Sequence, residues 1–146
     1  MVVVDTSSLR AIPGPADAVF PEAGSGFLGI VMLDTRFPRP PGDIGHPDTF
    51  GVPVRRRVVA GAFPHRVVAS AVSLRASGLD LRFAEALQAL EREGARALTT
   101  SCGFLVLLQA QLQAQVNVPL ASSSLLQLPE LLAREPQVGG LAISAG

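Results

Sequence analysis

The sequence predicts an α/β protein with a three-layer fold, in which an open parallel sheet of about four to five strands has helices on both faces. Short apolar runs of strand length alternate along the chain with segments whose apolar residues recur at helical spacing. Strands that alternate with helices form right-handed crossover units, and such units build a parallel sheet covered by helices. The 146 residues suffice for one domain of this kind.

The first half of the chain contains two predicted strands and a long loop between them. Residues 1–26 are rich in Pro, Gly, Ala and Ser, and we expect them to form a poorly ordered lead to a single lobe at residues 27–146. Residues 27–33 (FLGIVML) are continuously apolar, as in a strand buried on both faces. The Pro- and Gly-rich residues 34–53 exclude a helix or a central strand, and residues 54–60 (VRRRVVA) predict the second strand.

The second half of the chain contains the predicted helices. Residues 79–93 place apolar side chains on one face at 3.6-residue spacing, and Gly94 follows where a C-cap glycine is typical. The remaining predictions, in chain order, are an ambiguous segment at 67–78, a strand at 95–101, a helix at 103–115, a strand at 116–122, a helix at 125–135 and a strand at 138–146.

Composition argues against several classes of function. The twelve basic residues, all arginine, balance twelve acidic residues, so no basic stripe is present to neutralise nucleic-acid phosphates. No apolar run approaches the roughly 18 residues that a membrane-spanning helix needs, and the start of the chain lacks the positive region of a signal peptide. We therefore expect a cytoplasmic protein with a reduced thiol and with no nucleic-acid or membrane partner.

The single cysteine, Cys102, lies in the stretch TTSCGF between a predicted strand and a predicted helix. Amide donors at a helix N-terminus favour a thiolate, which suggests a reactive residue. A buried structural cysteine is the other interpretation, and the sequence leaves both open. With one cysteine and two distant histidines, His46 and His65, no metal site is predicted.

Three polar stretches follow predicted strands, at the edge where open α/β sheets bind ligands. They are the loop after the first strand, the TTSCG turn and the serines at 122–124, which either cap the next helix or bind a carboxylate or phosphate. In the loop, Arg36 and Arg39 suit an anionic substrate, unless they are merely solvated. His46 suits an acid or base there, and a thiol hydrolase would need it beside Cys102.

The blocks LDTRFPRPPGDIG, TTSCGF and SSSLLQLP resemble the aspartate/glutamate racemase family, a branch of the aspartate/glutamate/hydantoin racemase superfamily, from about Phe27 to Gly146. The resemblance implies one lobe of a two-lobed racemase and cofactor-independent proton abstraction at the α-carbon of an amino acid or related small acid, with Cys102 as the acid/base. The residues expected to contact this substrate are Asp34, Arg36, His46, Thr100, Ser101, Gly103, Ser122, Ser123 and Ser124.

Racemases of this kind use two cysteines, one from each lobe, whereas this chain contains one. A homodimer in which Cys102 of each chain faces the other would restore the second thiol. Alternatively, His46 or a water replaces it, which suits one-base proton exchange or decarboxylation. The competing expectation is a non-catalytic truncated lobe that binds a small carboxylate or only self-associates. Gly103 and Phe104 stand where better-characterised racemases have Asn-Thr, so the substrates of those enzymes do not carry over.

Overall fold

The computed structural model, which describes residues 26–68 and 70–139, contains an open four-stranded parallel sheet in the order β2-β1-β3-β4. The strands are β1 (Phe27–Met32), β2 (Val54–Val58), β3 (Ala95–Thr100) and β4 (Leu120–Ala121). The predicted α/β class and the open parallel sheet are therefore confirmed. Residues 1–25 and 140–146, which contain nearly all of the expected lead and most of the expected fifth strand, lie outside the described residues.

The helices follow the second, third and fourth strands. They are α1 (Pro64–Val67), α2 (Ala71–Ala76), α3 (Leu79–Arg92), the 3-10 helix η1 (Gly103–Leu108) that continues as α4 (Gln109–Gln113), and the 3-10 helix η2 (Ser124–Gln127) that leads into α5 (Leu128–Arg134). The ambiguous segment at 67–78 is helical through most of its described length, because the Ser70 side chain accepts a hydrogen bond from the Ser73 N–H and caps α2. No helix in the described ranges is long and apolar enough to cross a membrane.

The main core lies between α3 and one face of the sheet. Phe83, Leu87 and Leu90 of α3 are fully buried, as their helical spacing predicts. Gly29 of β1 stands in register with Leu98 of β3 on this face. A Cβ atom on Gly29 would lie 2.7 Å from Leu98 Cδ2 and 3.2 Å from Leu90 Cβ. The glycine therefore allows α3 to pack close against the two central strands.

The proline-rich loop at residues 34–53 is ordered by its own polar contacts. The Asp43 carboxylate accepts hydrogen bonds from the Gly45 N–H at 2.7 Å and from Arg39 Nη1 at 2.9 Å. Arg39 also donates to Thr35 Oγ1 at 2.7 Å. Arg56 of β2 donates to the carbonyl oxygen of Gly45, which attaches the loop to the sheet. Side-chain hydrogen bonds here replace the ladder of a helix or strand.

The outer edge of β4, the last strand of the described sheet, is paired with side chains instead of another strand. Gln113 Oε1 accepts from the Leu120 N–H at 2.8 Å, and Gln113 Nε2 donates to the Val118 carbonyl at 3.0 Å. Gln109 Nε2 donates to the Leu120 carbonyl at 2.7 Å, and Gln109 Oε1 accepts from the Ser122 N–H at 2.9 Å. Two glutamines four residues apart thus satisfy the backbone of the edge strand.

Candidate functional site

Cys102 lies two residues after the end of β3, where the chain turns into η1. It is the N-cap residue of that helix, with extended backbone angles of φ −126° and ψ 109°. Its side chain belongs to the core cluster and is only 6% exposed. Both interpretations that the sequence left open therefore describe part of its position, because Cys102 begins a helix and is also buried.

Burial raises the pKa of the Cys102 thiol above its ordinary value. Hydrogen bonds from the backbone N–H groups of Phe104 and Leu105 offset only part of this increase. The expectation that the helix N-terminus favours a thiolate is therefore wrong for this structure, since the loss of hydration outweighs the amide donors. At neutral pH the resting form of Cys102 is the protonated thiol.

The hydroxyl of Thr100 connects the Cys102 turn to the end of β4. Thr100 Oγ1 is buried, donates to the Ser122 carbonyl at 2.7 Å and accepts from the Cys102 N–H at 3.3 Å. A hydroxyl has one proton and two lone pairs, so it can make both of these bonds at once. The hydroxyl of Thr100, which we expected to contact substrate, is used in holding the two turns together.

The Ser122 hydroxyl is the exceptional polar group of this region. Ser122 is fully buried, and its Oγ has no hydrogen-bond partner among the described residues. Nearly all buried polar groups in proteins are paired, so an unpaired hydroxyl here calls for an explanation, and a bound ligand would supply one. Ser123 Oγ accepts from the Leu125 N–H at 3.0 Å and caps η2, whereas Ser124 is exposed. A Cβ atom on Gly103 would lie 3.6 Å from Ser123 Oγ, so the two turns are adjacent.

Two other predicted contact residues bind the backbone of the fold. Ser101 Oγ accepts from the Leu33 N–H at 3.0 Å and joins the ends of β3 and β1. Asp34 Oδ2 accepts from the Gly61 N–H at 2.8 Å and fixes the turn after β2. The predicted residues that the structure brings together are therefore Thr100, Cys102, Gly103, Ser122 and Ser123.

The predicted site residues His46 and Arg36 belong to the loop at residues 34–53 and are held separately from the Cys102 turn. His46 Nδ1 accepts from the Asp48 N–H at 3.2 Å, a contact within the same loop. Arg36 is exposed on the same loop. The hydrolase alternative needs His46 beside Cys102, whereas the hydrogen bond of His46 that the structure describes goes to Asp48. Within residues 26–68 and 70–139, no group of three or more His, Cys, Asp or Glu side chains is arranged to hold a metal ion.

A groove lies at the opposite end of the sheet, where β1, β2 and β3 begin. It is open, has a volume of about 660 Å³, and is lined in part by Phe27, Arg55 and Glu93. The Arg55 guanidinium lies 3.6 Å from the Glu93 carboxylate and makes a cation–π contact with Phe27, at 4.5 Å from the ring centroid. Because these charged groups pair with each other, we assign no function to the groove.

No pattern in the sequence singled out Gln109 and Gln113, although both bind the backbone of β4 and Gln109 reaches Ser122. Residues 103–115 were expected to form a helix, and their glutamines appeared as the polar positions of an apolar run. The signal that could have identified them is their i, i+4 spacing just before a short strand that ends in serines. Paired carboxamides at that spacing are able to replace a neighbouring strand.

Comparison with known proteins finds relatives that are named for a lyase activity. The chain is 33% identical over 117 residues to a dimethylsulfoniopropionate lyase of Durusdinium sp. clade D, covering 80% of this chain and 38% of that protein. It is 32% identical over 120 residues to dimethylsulfoniopropionate lyases 6 and 3 of Emiliania huxleyi, covering 82% of this chain and 30% of each. The chain thus spans about a third of the length of these curated relatives. No protein-family model and no solved structure matches it.

These relatives contradict the expected membership in the aspartate/glutamate racemase family, because they are named dimethylsulfoniopropionate lyases. The expected racemase-type isomerase activity on amino acids is wrong for the same reason. A non-catalytic truncated lobe is not supported either. Proton abstraction beside a carboxylate is a step in eliminations as well as in racemisations, so residues that suit this step do not identify the reaction.

Proposed function

We propose that this protein acts as a dimethylsulfoniopropionate (DMSP) lyase. The identity of 31% to 33% with DMSP lyases, over 72% to 82% of the chain, carries this proposal. The site supports it because Cys102, a candidate base, and the unpartnered Ser122 hydroxyl lie on two turns that Thr100 joins.

The substrate has a carboxylate at one end and a dimethylsulfonium group on the carbon β to it. In a β-elimination, a base removes a proton from the carbon next to the carboxylate. The carbon–sulfur bond breaks and its electron pair leaves with sulfur, while the electrons of the broken C–H bond form the new carbon–carbon double bond. The products are dimethyl sulfide, acrylate and the protonated base. The balance requires no oxidant, reductant or other co-reactant.

Cys102 serves as the base in this scheme. One base is enough, in contrast to two-base racemisation, because the proton is removed from one face of one carbon and none is returned. The sulfonium leaves as a neutral sulfide and therefore needs no acid to protonate it. The raised pKa of Cys102 lowers the fraction of thiolate, but it makes each thiolate a stronger base.

The Ser122 hydroxyl supplies a hydrogen bond to the substrate carboxylate. We place the substrate beside Gly103, where an added Cβ atom would lie 3.6 Å from Ser123 Oγ. Contacts of Asp34, Arg36, His46, Ser101 and Ser124 with the substrate stay predictions, as does a homodimer. A reducing compartment such as the cytoplasm would keep Cys102 as a thiol.

Dimethyl sulfide release from DMSP, measured by headspace gas chromatography with acrylate followed by NMR, tests this function. We expect release by the wild-type protein and none above the buffer blank for Cys102→Ala. Ser77→Ala, a change at an exposed residue after α2, is the control for the handling of a variant. Equal release by wild type and Cys102→Ala would contradict the role of Cys102, and no release by the wild type would contradict the lyase function.

A further inference from the structure

Gln109 connects the helix that follows Cys102 to the turn that contains Ser122. Its Nε2 donates to the Leu120 carbonyl at 2.7 Å, and its Oε1 accepts from the Ser122 N–H at 2.9 Å. Gln109 is also the C-cap residue of η1, whose N-cap is Cys102. One carboxamide therefore fixes the backbone on both sides of Ala121 to the end of the Cys102 helix.

Together with Thr100, Gln109 fixes both backbone groups of Ser122. Thr100 Oγ1 binds the carbonyl oxygen of Ser122, and Gln109 Oε1 binds its N–H. Each of these side chains also belongs to the Cys102 segment, because Thr100 accepts the Cys102 N–H and Gln109 ends η1. The buried hydroxyl of Ser122, which has no partner of its own, is thereby held at a set place relative to the thiol.

We propose that Gln109 is a positioning residue of the lyase site, which keeps the Ser122 hydroxyl at the distance from the Cys102 thiol that the substrate carboxylate requires. This role depends on the proposed lyase function, and Gln109 itself does not contact the substrate. A neutral carboxamide is needed because the side chain must donate to one backbone group and accept from another. An ionised glutamate would keep the acceptor and lose the donor.

Gln113 offers a matched control on the same helix. Its carboxamide also bonds in both directions: Oε1 accepts from the Leu120 N–H at 2.8 Å, and Nε2 donates to the carbonyls of Val118 at 3.0 Å and Val116 at 3.4 Å. Both glutamines are half-buried and support the same strand edge. The contacts of Gln113 lie toward the beginning of β4, away from the site. Those of Gln109 lie toward its end and reach Ser122. If both residues had a merely structural role, their truncation would have similar consequences.

The test compares Gln109→Ala with Gln113→Ala by urea unfolding and by DMSP kinetics. We expect Gln109→Ala to lose no more stability than Gln113→Ala, because the first loses two hydrogen bonds to the backbone and the second loses three. We expect Gln109→Ala to raise KM for DMSP about tenfold, the effect of weakening one hydrogen bond to a charged group, and Gln113→Ala to leave KM within about twofold of wild type. Equal KM changes in the two variants, or an unchanged KM in Gln109→Ala, would overturn the proposal.

A second measurement separates this proposal from the lyase function. Cys102 is buried, so release of the Ser122 turn should expose its thiol, and alkylation by iodoacetamide at neutral pH should be about tenfold faster in Gln109→Ala than in Gln113→Ala. If the wild type cleaves no DMSP, a difference in alkylation still supports the positioning role, and equal rates overturn it. If Gln109→Ala does not fold, Gln109→Met replaces it, since it keeps the length of the side chain but loses both hydrogen bonds, and the same differences from Gln113→Ala are expected.

Discussion

Thr100 Oγ1 lies 2.7 Å from the carbonyl oxygen of Ser122 and donates a hydrogen bond to it. Thr100 is the last residue of β3, and Ser122 directly follows β4, so this bond joins the carboxyl ends of two neighbouring strands. The same hydroxyl accepts the Cys102 N–H. The turns of the site cannot separate without leaving buried groups unpaired, and the geometry of the site is therefore coupled to the stability of the sheet.

We expect Thr100→Val to destabilise the protein. Valine matches the shape of threonine but leaves the Ser122 carbonyl and the Cys102 N–H without their partner in a buried place. The free energy of unfolding, measured by urea denaturation, should fall by about 1–3 kcal/mol. Thr100→Ser retains the hydroxyl and should lose only about 1 kcal/mol for the missing methyl group. Equal losses in the two variants would show that the hydroxyl does not contribute.

The fold could be predicted where the pattern is local. The helix expected at 79–93 is observed at Leu79–Arg92, because a 3.6-residue apolar face followed by Gly94 is sufficient to define it. The strand expected at 116–122 is reduced to Leu120–Ala121. Gln109 and Gln113 bind the backbone around these two residues, and such contacts between a helix and an edge strand leave no periodic signal in the sequence.

The place of Cys102 in the fold could be predicted, but its burial could not. Cys102 lies at the end of a strand and at the start of a helix, as the turn-like TTSCG stretch indicates. Its burial comes from the packing of residues distant in sequence, and burial reverses the expected direction of its pKa shift. The reaction was predicted wrongly because that prediction depended on the resemblance of short sequence blocks to a racemase family, and such blocks do not specify which reaction follows proton abstraction.

The thiol of Cys102 should make stability depend on pH in the alkaline range. In the unfolded chain it loses its proton near the ordinary pKa of 9.0, whereas the folded protein retains the proton to higher pH because burial raises the pKa. Between these two values the unfolded state binds fewer protons than the folded state, so stability falls as pH rises. At neutral pH this contribution is fully present.

Denaturation of wild type and Cys102→Ala at a series of pH values from neutral to alkaline measures this effect. The free energies of unfolding of the two proteins are first aligned at neutral pH. As pH then rises above 9.0, we expect the free energy of unfolding of the wild type to fall more than that of Cys102→Ala. Parallel curves for the two proteins would mean that the folded thiol titrates as an unperturbed group.

The ionised carboxylate of Asp43 should stabilise the loop at residues 34–53, and protonation in acid should remove this stabilisation. Burial raises the pKa of this carboxyl, but the hydrogen bonds from Gly45 and Arg39 outweigh burial and lower it below its ordinary value of 3.8. The stabilisation is present above that ordinary value and is lost as pH falls through the lower folded value. Asp43→Asn should therefore unfold at lower urea concentration than wild type at neutral pH, and the difference should disappear in acid. Asp48→Asn, at a side chain that is 86% exposed, is the control and should differ little from wild type at either pH.

Gly29→Ala and Gly103→Ala distinguish a glycine that the packing of the fold requires from one that the proposed substrate site requires. At Gly29 the added methyl group would lie 2.7 Å from Leu98 Cδ2, so overpacking should lower the free energy of unfolding by about 1–3 kcal/mol. At Gly103 the nearest side-chain atom, Ser123 Oγ, is 3.6 Å away, so stability should hardly change. The methyl group on residue 103 would nevertheless occupy the space beside Cys102 that we assign to the substrate, and KM for DMSP should rise. Urea denaturation and the kinetics of dimethyl sulfide release by both variants test this prediction. A wild-type KM in Gly103→Ala, or a loss of stability as large as that of Gly29→Ala, would refute it.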